Sequence, residues 1–233
     1  MTHASVDNSF KKGLESFKRG DYAEAIASWS EAAEAGHAEA QYQLGLMYGN
    51  GTGVKQDFAR ALALFSAAAQ SGHTEAEYSL GVLYGVGLGV EQDNAEAAYW
   101  YSKAAEAGHT SALCNLAGLY ETGKGVTQDF LKAVDLYGEA AERGNVVAIF
   151  NLGVMAENGV GFEQDYERAV AFYKVAADCG LAAAQYNLGT IYAQGFGNVP
   201  SDMIKAKYWL AKAAEQGHKF AHCNLAVLNE DAA

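Results

Sequence analysis

The residues able to do acid–base, nucleophilic or metal chemistry in this chain are 6 histidines, 3 cysteines and 28 carboxylates among 233 residues. One cluster, His218, His222 and Cys223, has metal-like spacing. Zinc takes four ligands in a structural site and three plus an open position in a catalytic one. No fourth ligand is evident, and His218 falls at a turn. His37, His73 and His109 recur at 36-residue intervals, each directly after a glycine. Groups so far apart cannot converge on one ion at about 2.0–2.1 Å, so they read as turn or packing residues. Gly49-Asn50-Gly51-Thr52-Gly53 looks able to cradle a phosphate, but no strand precedes it and no Gly-Lys-Ser/Thr follows. It therefore reads as a turn. Ser-His-Asp and Cys-His catalysis have no local signature, and no carboxylate pair stands apart from the repeating solvated faces. The expectation is a protein that is not an enzyme and uses no cofactor and no metal.

Charge and composition narrow the partners. The formal net charge is −12. Such a surface repels phosphates and anionic lipid, which argues against nucleic acid and membrane surfaces. Basic or neutral protein segments fit better, and plain solubility is the simplest use of the charge. No apolar run approaches the length of a membrane span. Three cysteines, Cys114, Cys179 and Cys223, match no zinc spacing. They point to a reducing compartment and to buried or half-buried thiols. The segment Met1-Thr2-His3-Ala4-Ser5-Val6-Asp7 lacks a basic start followed by an apolar stretch. A cytoplasmic protein is expected, a monomer or weak dimer, with export by a signal-independent route left open.

The elements that must position these residues are repeats. Leu44-Gly45, Leu80-Gly81, Leu116-Ala117, Leu152-Gly153 and Leu188-Gly189 follow one another at 36 residues. Leu225-Ala226 comes 37 residues later, after a one-residue insertion around Asn198-Val199-Pro200. The full units are 38–73, 74–109, 110–145, 146–181 and 182–218. Proline, which breaks helix interiors, occurs once. In the first unit Ala40, Leu44, Met47 and Tyr48 share one helical face, and Ala61, Leu64, Phe65, Ala68 and Ala69 share another. Asp57, Asp93, Asp129, Asp165 and Asp202 stand where the second helix needs an N-cap, and Gly72 where it needs a C-terminal glycine. Small residues at Ala40, Gly45 and Ala61 make room for large neighbours such as Tyr48 and Phe65. Residues 6–37 form a helical pair with a tighter turn at Gly20-Asp21, and 219–229 a lone first helix that caps the last full unit. The fold class is all-α, one solenoid domain over 1–233.

These residues resemble the Sel1-like repeat family, a relative of the tetratricopeptide repeat. In the first unit Ala40, Leu44, Gly45, Tyr48, Gly51, Gly53, Val54, Ala61, Ala68, Ala69 and Gly72 carry the resemblance. Ala76, Leu80, Gly81, Tyr84, Gly87, Gly89, Val90, Ala97, Ala104, Ala105 and Gly108 carry it in the second. Residues 6–37 resemble a tetratricopeptide helix pair. Departures are Ala117 for glycine, Ala156 for tyrosine and Phe162 for valine. The resemblance implies a right-handed α/α superhelix with first helices lining a concave face, working as a protein-binding scaffold or adaptor, bacterial in some members. Penicillin-binding activity is implied only through cysteine-rich relatives. This chain lacks their cysteine pair in every repeat and any nucleophile constellation. A purely structural spacer is the third reading.

If the first helices bind a partner, the residues pointing away from the Leu-Tyr core are the ones to use. The sixth position of each unit gives Gln43, Ser79, Asn115, Asn151, Asn187 and Asn224. The fifth gives Tyr42, Tyr78, Cys114, Phe150, Tyr186 and Cys223. Asparagine offers donor and acceptor to the backbone of an extended peptide, and flanking aromatics supply side-chain pockets. Alternatively the asparagines bond across neighbouring first helices and the aromatics pack sideways in the stack.

Overall fold

Helix starts in this chain are set by side chains that satisfy the first free backbone N–H groups. The computed structural model describes residues 3–230, and within them α-helices succeed one another with a single isolated β-bridge. The N-terminal pair is α1 (His3–Lys18) and α2 (Tyr22–Glu34). Then come α3 (Ala38–Asn50) and α4 (Phe58–Gln70), α5 (Thr74–Val86) and α6 (Asn94–Glu106), and α7 (Thr110–Thr122) and α8 (Phe130–Glu142). The series continues with α9 (Val146–Asn158) and α10 (Tyr166–Asp178), α11 (Ala182–Gln194) and α12 (Met203–Glu215), and ends on α13 (Lys219–Glu230). The all-α repeat reading is thereby met, with helix α1 starting at His3 rather than near Val6.

Each expected aspartate cap is present. The carboxylates of Asp57, Asp93, Asp129, Asp165 and Asp202 accept from the backbone N–H of Arg60, Glu96, Lys132, Arg168 and Lys205 at 2.9–3.1 Å. An aspartate cap of this kind stabilises its helix by about 1 kcal/mol. The first helices α3, α5, α7 and α9 end on Gly51, Gly87, Gly123 and Gly159, all left-handed. A recurring glutamine, unnoticed in the sequence, then clamps the loop. Gln56, Gln92, Gln128 and Gln164 donate from Nε2 to the carbonyls of Gly49, Gly85, Glu121 and Glu157 at 2.7–2.8 Å. Where the extra residue enters, Phe196 and Val199 instead pair through mutual backbone hydrogen bonds of 3.0 and 2.9 Å.

Packing divides the chain into two compact units, Met1–Gln128 and Asp129–Ala233. In the first, Trp29, Phe65 and Tyr101 are buried on second helices and sit against glycines of the partner first helices. A Cβ on Gly45 would lie 2.6 Å from the Phe65 ring, and one on Gly81 2.5 Å from Tyr101. The expected match of small first-helix and large second-helix residues is therefore steric and tight. In the second unit Gly153 faces Tyr173 and Gly189 faces Leu210 in the same way. Leu152, Leu188, Ile191 and a run of alanines complete that core.

The thiols differ from expectation. Cys114 is buried, but Cys179 and Cys223 are exposed. Cys179 is the C-cap of α10, beyond its last packed turn, and α13, which carries Cys223, has no following helix among the described residues to cover it.

Candidate functional site

The recurring histidines are the N-caps of the first helices. Nδ1 of His37, His73 and His109 accepts from the backbone N–H of Ala40, Ala76 and Ala112 at 3.2, 3.2 and 3.1 Å. A ring that accepts at Nδ1 carries its proton on Nε2. That second nitrogen points back one repeat, 2.9 Å from Glu39 for His73 and 3.2 Å from Glu75 for His109. His37 faces Asp7 more loosely, at 3.9 Å. Asn145 caps α9 through its side-chain oxygen, and Leu181 supplies no side-chain cap to α11. His218 also follows a glycine and stands three residues before the buried Ala221, but its Nδ1 is buried without a hydrogen bond, so the glycine–histidine pair alone does not fix the cap.

The fifth-position aromatics meet these histidines. Tyr42 stacks on His73 with centroids 4.7 Å apart, Tyr78 on His109 at 4.3 Å, and Tyr186 on His218 at 4.4 Å. Phe150 instead packs against Tyr173, at 5.6 Å. Tyr42, Tyr78, Phe150 and Tyr186 are half-buried, so each has one face in the stack and part of its edge in solvent. Burial, together with the nearby carboxylates of Glu75 and Glu39, pushes the Tyr42 phenol up, while a hydrogen bond with Ser79 opposes the shift.

The sixth-position column is half-buried throughout at Gln43, Asn115, Asn151, Asn187 and Asn224. Gln43 Nε2 donates to Glu39 Oε1 at 2.7 Å. For Glu39, burial pushes the carboxyl up, but hydrogen bonds from Gln43 and His73 outweigh it and hold the group below its ordinary value. Glu39 is therefore a carboxylate at neutral pH. Asn115 interacts with the Tyr101 hydroxyl and Asn187 with that of Tyr173. Tyr173 donates to Glu157 Oε2 at 2.5 Å, and burial followed by that carboxylate raises its phenol far above the ordinary range. Asparagines thus reach the preceding second helix while part of each stays open to solvent.

Between α3 and α5, within the first unit, lies a cleft of about 340 Å³. Its most buried lining is Phe65 and Leu83, with Phe58, Leu88, Leu46 and Val82 partly open. Tyr78, Ser79 and Asn50 bring polar atoms to its edge. The lining therefore takes the fifth, sixth, ninth and thirteenth first-helix positions together with the small Gly49. In the second unit a more polar hollow of about 470 Å³ is formed by the loop residues before α10 with Gly197 and Asn198. Its Arg168 guanidinium lies over the Phe162 ring, 4.3 Å from the centroid. Among the described residues no three His, Cys, Asp or Glu side chains are grouped to hold a metal ion, and no helix is long and apolar enough to cross a membrane.

Comparison with known proteins places this geometry. A solved structure of a protective antigen from uropathogenic Escherichia coli, described as displaying an SLR fold, is 33% identical with a TM-score of 0.88. The match covers 98% of this chain and 50% of that one, so the chain spans half the length of that antigen. A Sel1 repeat protein from Oxalobacter formigenes is 30% identical with a TM-score of 0.81, over 88% of this chain and 84% of that one. An immunity protein from Pseudomonas aeruginosa, at 21% identity and TM-score 0.53 over 92% and 83% of the two chains, shares the fold alone. No curated protein matches the sequence. Sel1 repeat proteins are generally protein-interaction scaffolds, and the fold is typically non-catalytic. The family model described as Sel1 repeat matches five times, at residues 38–73, 74–109, 110–145, 146–181 and 182–218, and the chain belongs to the Sel1 repeat family.

Proposed function

We propose that this protein is an adaptor that holds an extended peptide, or an extended segment of a partner domain, on its first-helix faces. The observation that carries the reading is the cleft between α3 and α5. It joins an apolar lining to polar side chains whose backbone-pairing atoms are partly open. Apolar side chains of a bound segment would enter such a cleft, and asparagine amides would take its backbone groups. The half-buried Asn115, Asn151 and Asn187 offer that pairing along the same first-helix position. Two exposed thiols and a third buried one, none in a disulfide, support a reducing compartment as the place of action. The test is affinity capture from native cell extract with the wild-type chain and with Asn115, Asn151 and Asn187 all replaced by alanine. Each substitution removes about 0.5–1.5 kcal/mol of net hydrogen bonding, and circular dichroism at the assay temperature checks that the variant stays helical. Partners held by the wild type should be missing from the variant. Recovery of the same proteins by both would remove the asparagine column from the binding surface.

A further inference from the structure

Charge is divided between the two kinds of helix. Helices α3, α5, α7, α9 and α11 contain no lysine or arginine at all. Their charged residues are Glu39, Glu75, Glu77, Glu121 and Glu157, of which Glu77 is buried. In the first unit Glu39 and Glu75 retain side-chain exposures of 41% and 55% while accepting from His73 and His109. Glu75 holds His109, whose ring stacks on Tyr78 of the cleft edge, and Glu39 holds His73, which stacks on Tyr42 where Tyr42 packs on Phe65 of the cleft lining. An acidic rim therefore adjoins an apolar cleft with no lysine or arginine among its lining residues.

We infer that the cleft between α3 and α5 receives a cationic extended segment, one whose lysine or arginine stands two residues from an apolar side chain and so shares its face. This rests on the first-helix reading above and adds the chemistry of the partner. Leucine-sized side chains enter between Leu46 and Val82, over Phe65. Cations two residues away, on the same face of an extended chain that rises about 3.3 Å per residue, reach Glu39 and Glu75. Acidic segments are turned away by the same carboxylates, so the arrangement selects as well as attracts. The overall charge of −12 draws any cation non-specifically, but only the cleft distinguishes a cation with an apolar neighbour from one without.

The experiment uses the full chain and three fluorescent ten-residue peptides in which every second residue is serine and the residues between alternate leucine with lysine, leucine with glutamate, or serine with lysine, so that the varied side chains share one face when extended. Binding is followed by anisotropy. The leucine–lysine peptide should saturate with Kd below about 1 mM and bind at least about tenfold more tightly than either control. Val82→Trp, which fills the cleft without changing charge, should abolish that preference, and Leu46→Trp serves if Val82→Trp fails to fold. Glu39→Gln with Glu75→Gln keeps acceptors for the histidines and should weaken only the lysine-containing peptides, by about threefold to tenfold. Equal binding of the lysine and glutamate peptides, both lost on Val82→Trp, overturns the cationic partner and leaves the cleft as a seat. Binding of the leucine–lysine peptide that is untouched by either tryptophan overturns the cleft itself. Equal binding of the serine–lysine peptide, or no binding of the leucine–lysine peptide at 1 mM, also overturns the proposal.

Discussion

At the fourth position of the first and fifth repeats a buried glutamine ties a first helix to the helix before it. Gln41 Nε2 donates to the Ala33 carbonyl at 3.0 Å and Gln185 Nε2 to that of Ala177 at 3.1 Å. The second repeat places Glu77 in this register, 7% exposed, eight residues after Ala69. A carboxylate has no hydrogen to donate there. Burial pushes the Glu77 acid up, Lys103 and His73 oppose the shift, and Glu106 adds to it. Glu77→Gln restores a neutral donor. One net hydrogen bond and the removal of a poorly solvated charge act in the same direction, for a gain of about 1–3 kcal/mol at pH 7.5. In a chain of this length that raises Tm by ~2–10 °C. The pH dependence follows from linkage. With the folded pKa raised, the wild-type group is least unfavourable below the ordinary value of 4.5 and becomes costly as pH rises through the folded value. The glutamine's advantage is therefore full at pH 7.5 and shrinks towards pH 4. Paired urea melts of both proteins at each pH measure it, the difference between proteins cancelling the general effect of acid. A variant less stable than wild type at pH 7.5, or an advantage of equal size at both pH values, would refute the reasoning.

Two further outcomes follow from local geometry. His73→Ala removes the α5 cap, the Glu39 contact and the Tyr42 stack together, and His73→Asn keeps an N-cap of the kind Asn145 provides. Thermal melts should show alanine losing about 1 kcal/mol more than asparagine, and equal losses would deny the cap. Burial pushes the Cys114 thiol up to about 11, while Cys179 and Cys223 are exposed. A thiol-reactive disulfide reagent at pH 7.5 should titrate two thiols quickly in the native protein and the third only on unfolding. Rapid reaction of all three would show that the α7 core opens readily.

Some of this surface was legible only as alternatives. The sequence placed Tyr42, Tyr78 and Tyr186 in one column but left pocket and stack equally open. The structure shows Tyr42 and Tyr78 stacked on the cap histidines His73 and His109, and Tyr186 stacked on His218, each ring partly exposed. Asn115 and Asn187 likewise reach tyrosine hydroxyls of the preceding repeat. The burial of Glu77 left no mark in its own residue type, because glutamate at a first-helix position usually means solvent.

What the sequence determined alone is what depends on neighbours within a turn or two. The Leu-Gly period, the aspartate caps, the terminal glycines and the pairing of small with large residues are local signals, repeated often enough to reinforce one another. Only the tertiary structure decided the contacts between residues nearly a repeat length apart in the chain. Glu39 meets His73 across 34 residues and Glu75 meets His109 across the same span. The cleft between α3 and α5 exists because two stacked units hold Leu46 and Val82 apart over Phe65. The spacing between stacked helices is fixed by how Gly45 and Gly81 admit the Phe65 and Tyr101 rings, a steric sum over both partners that no single helix contains.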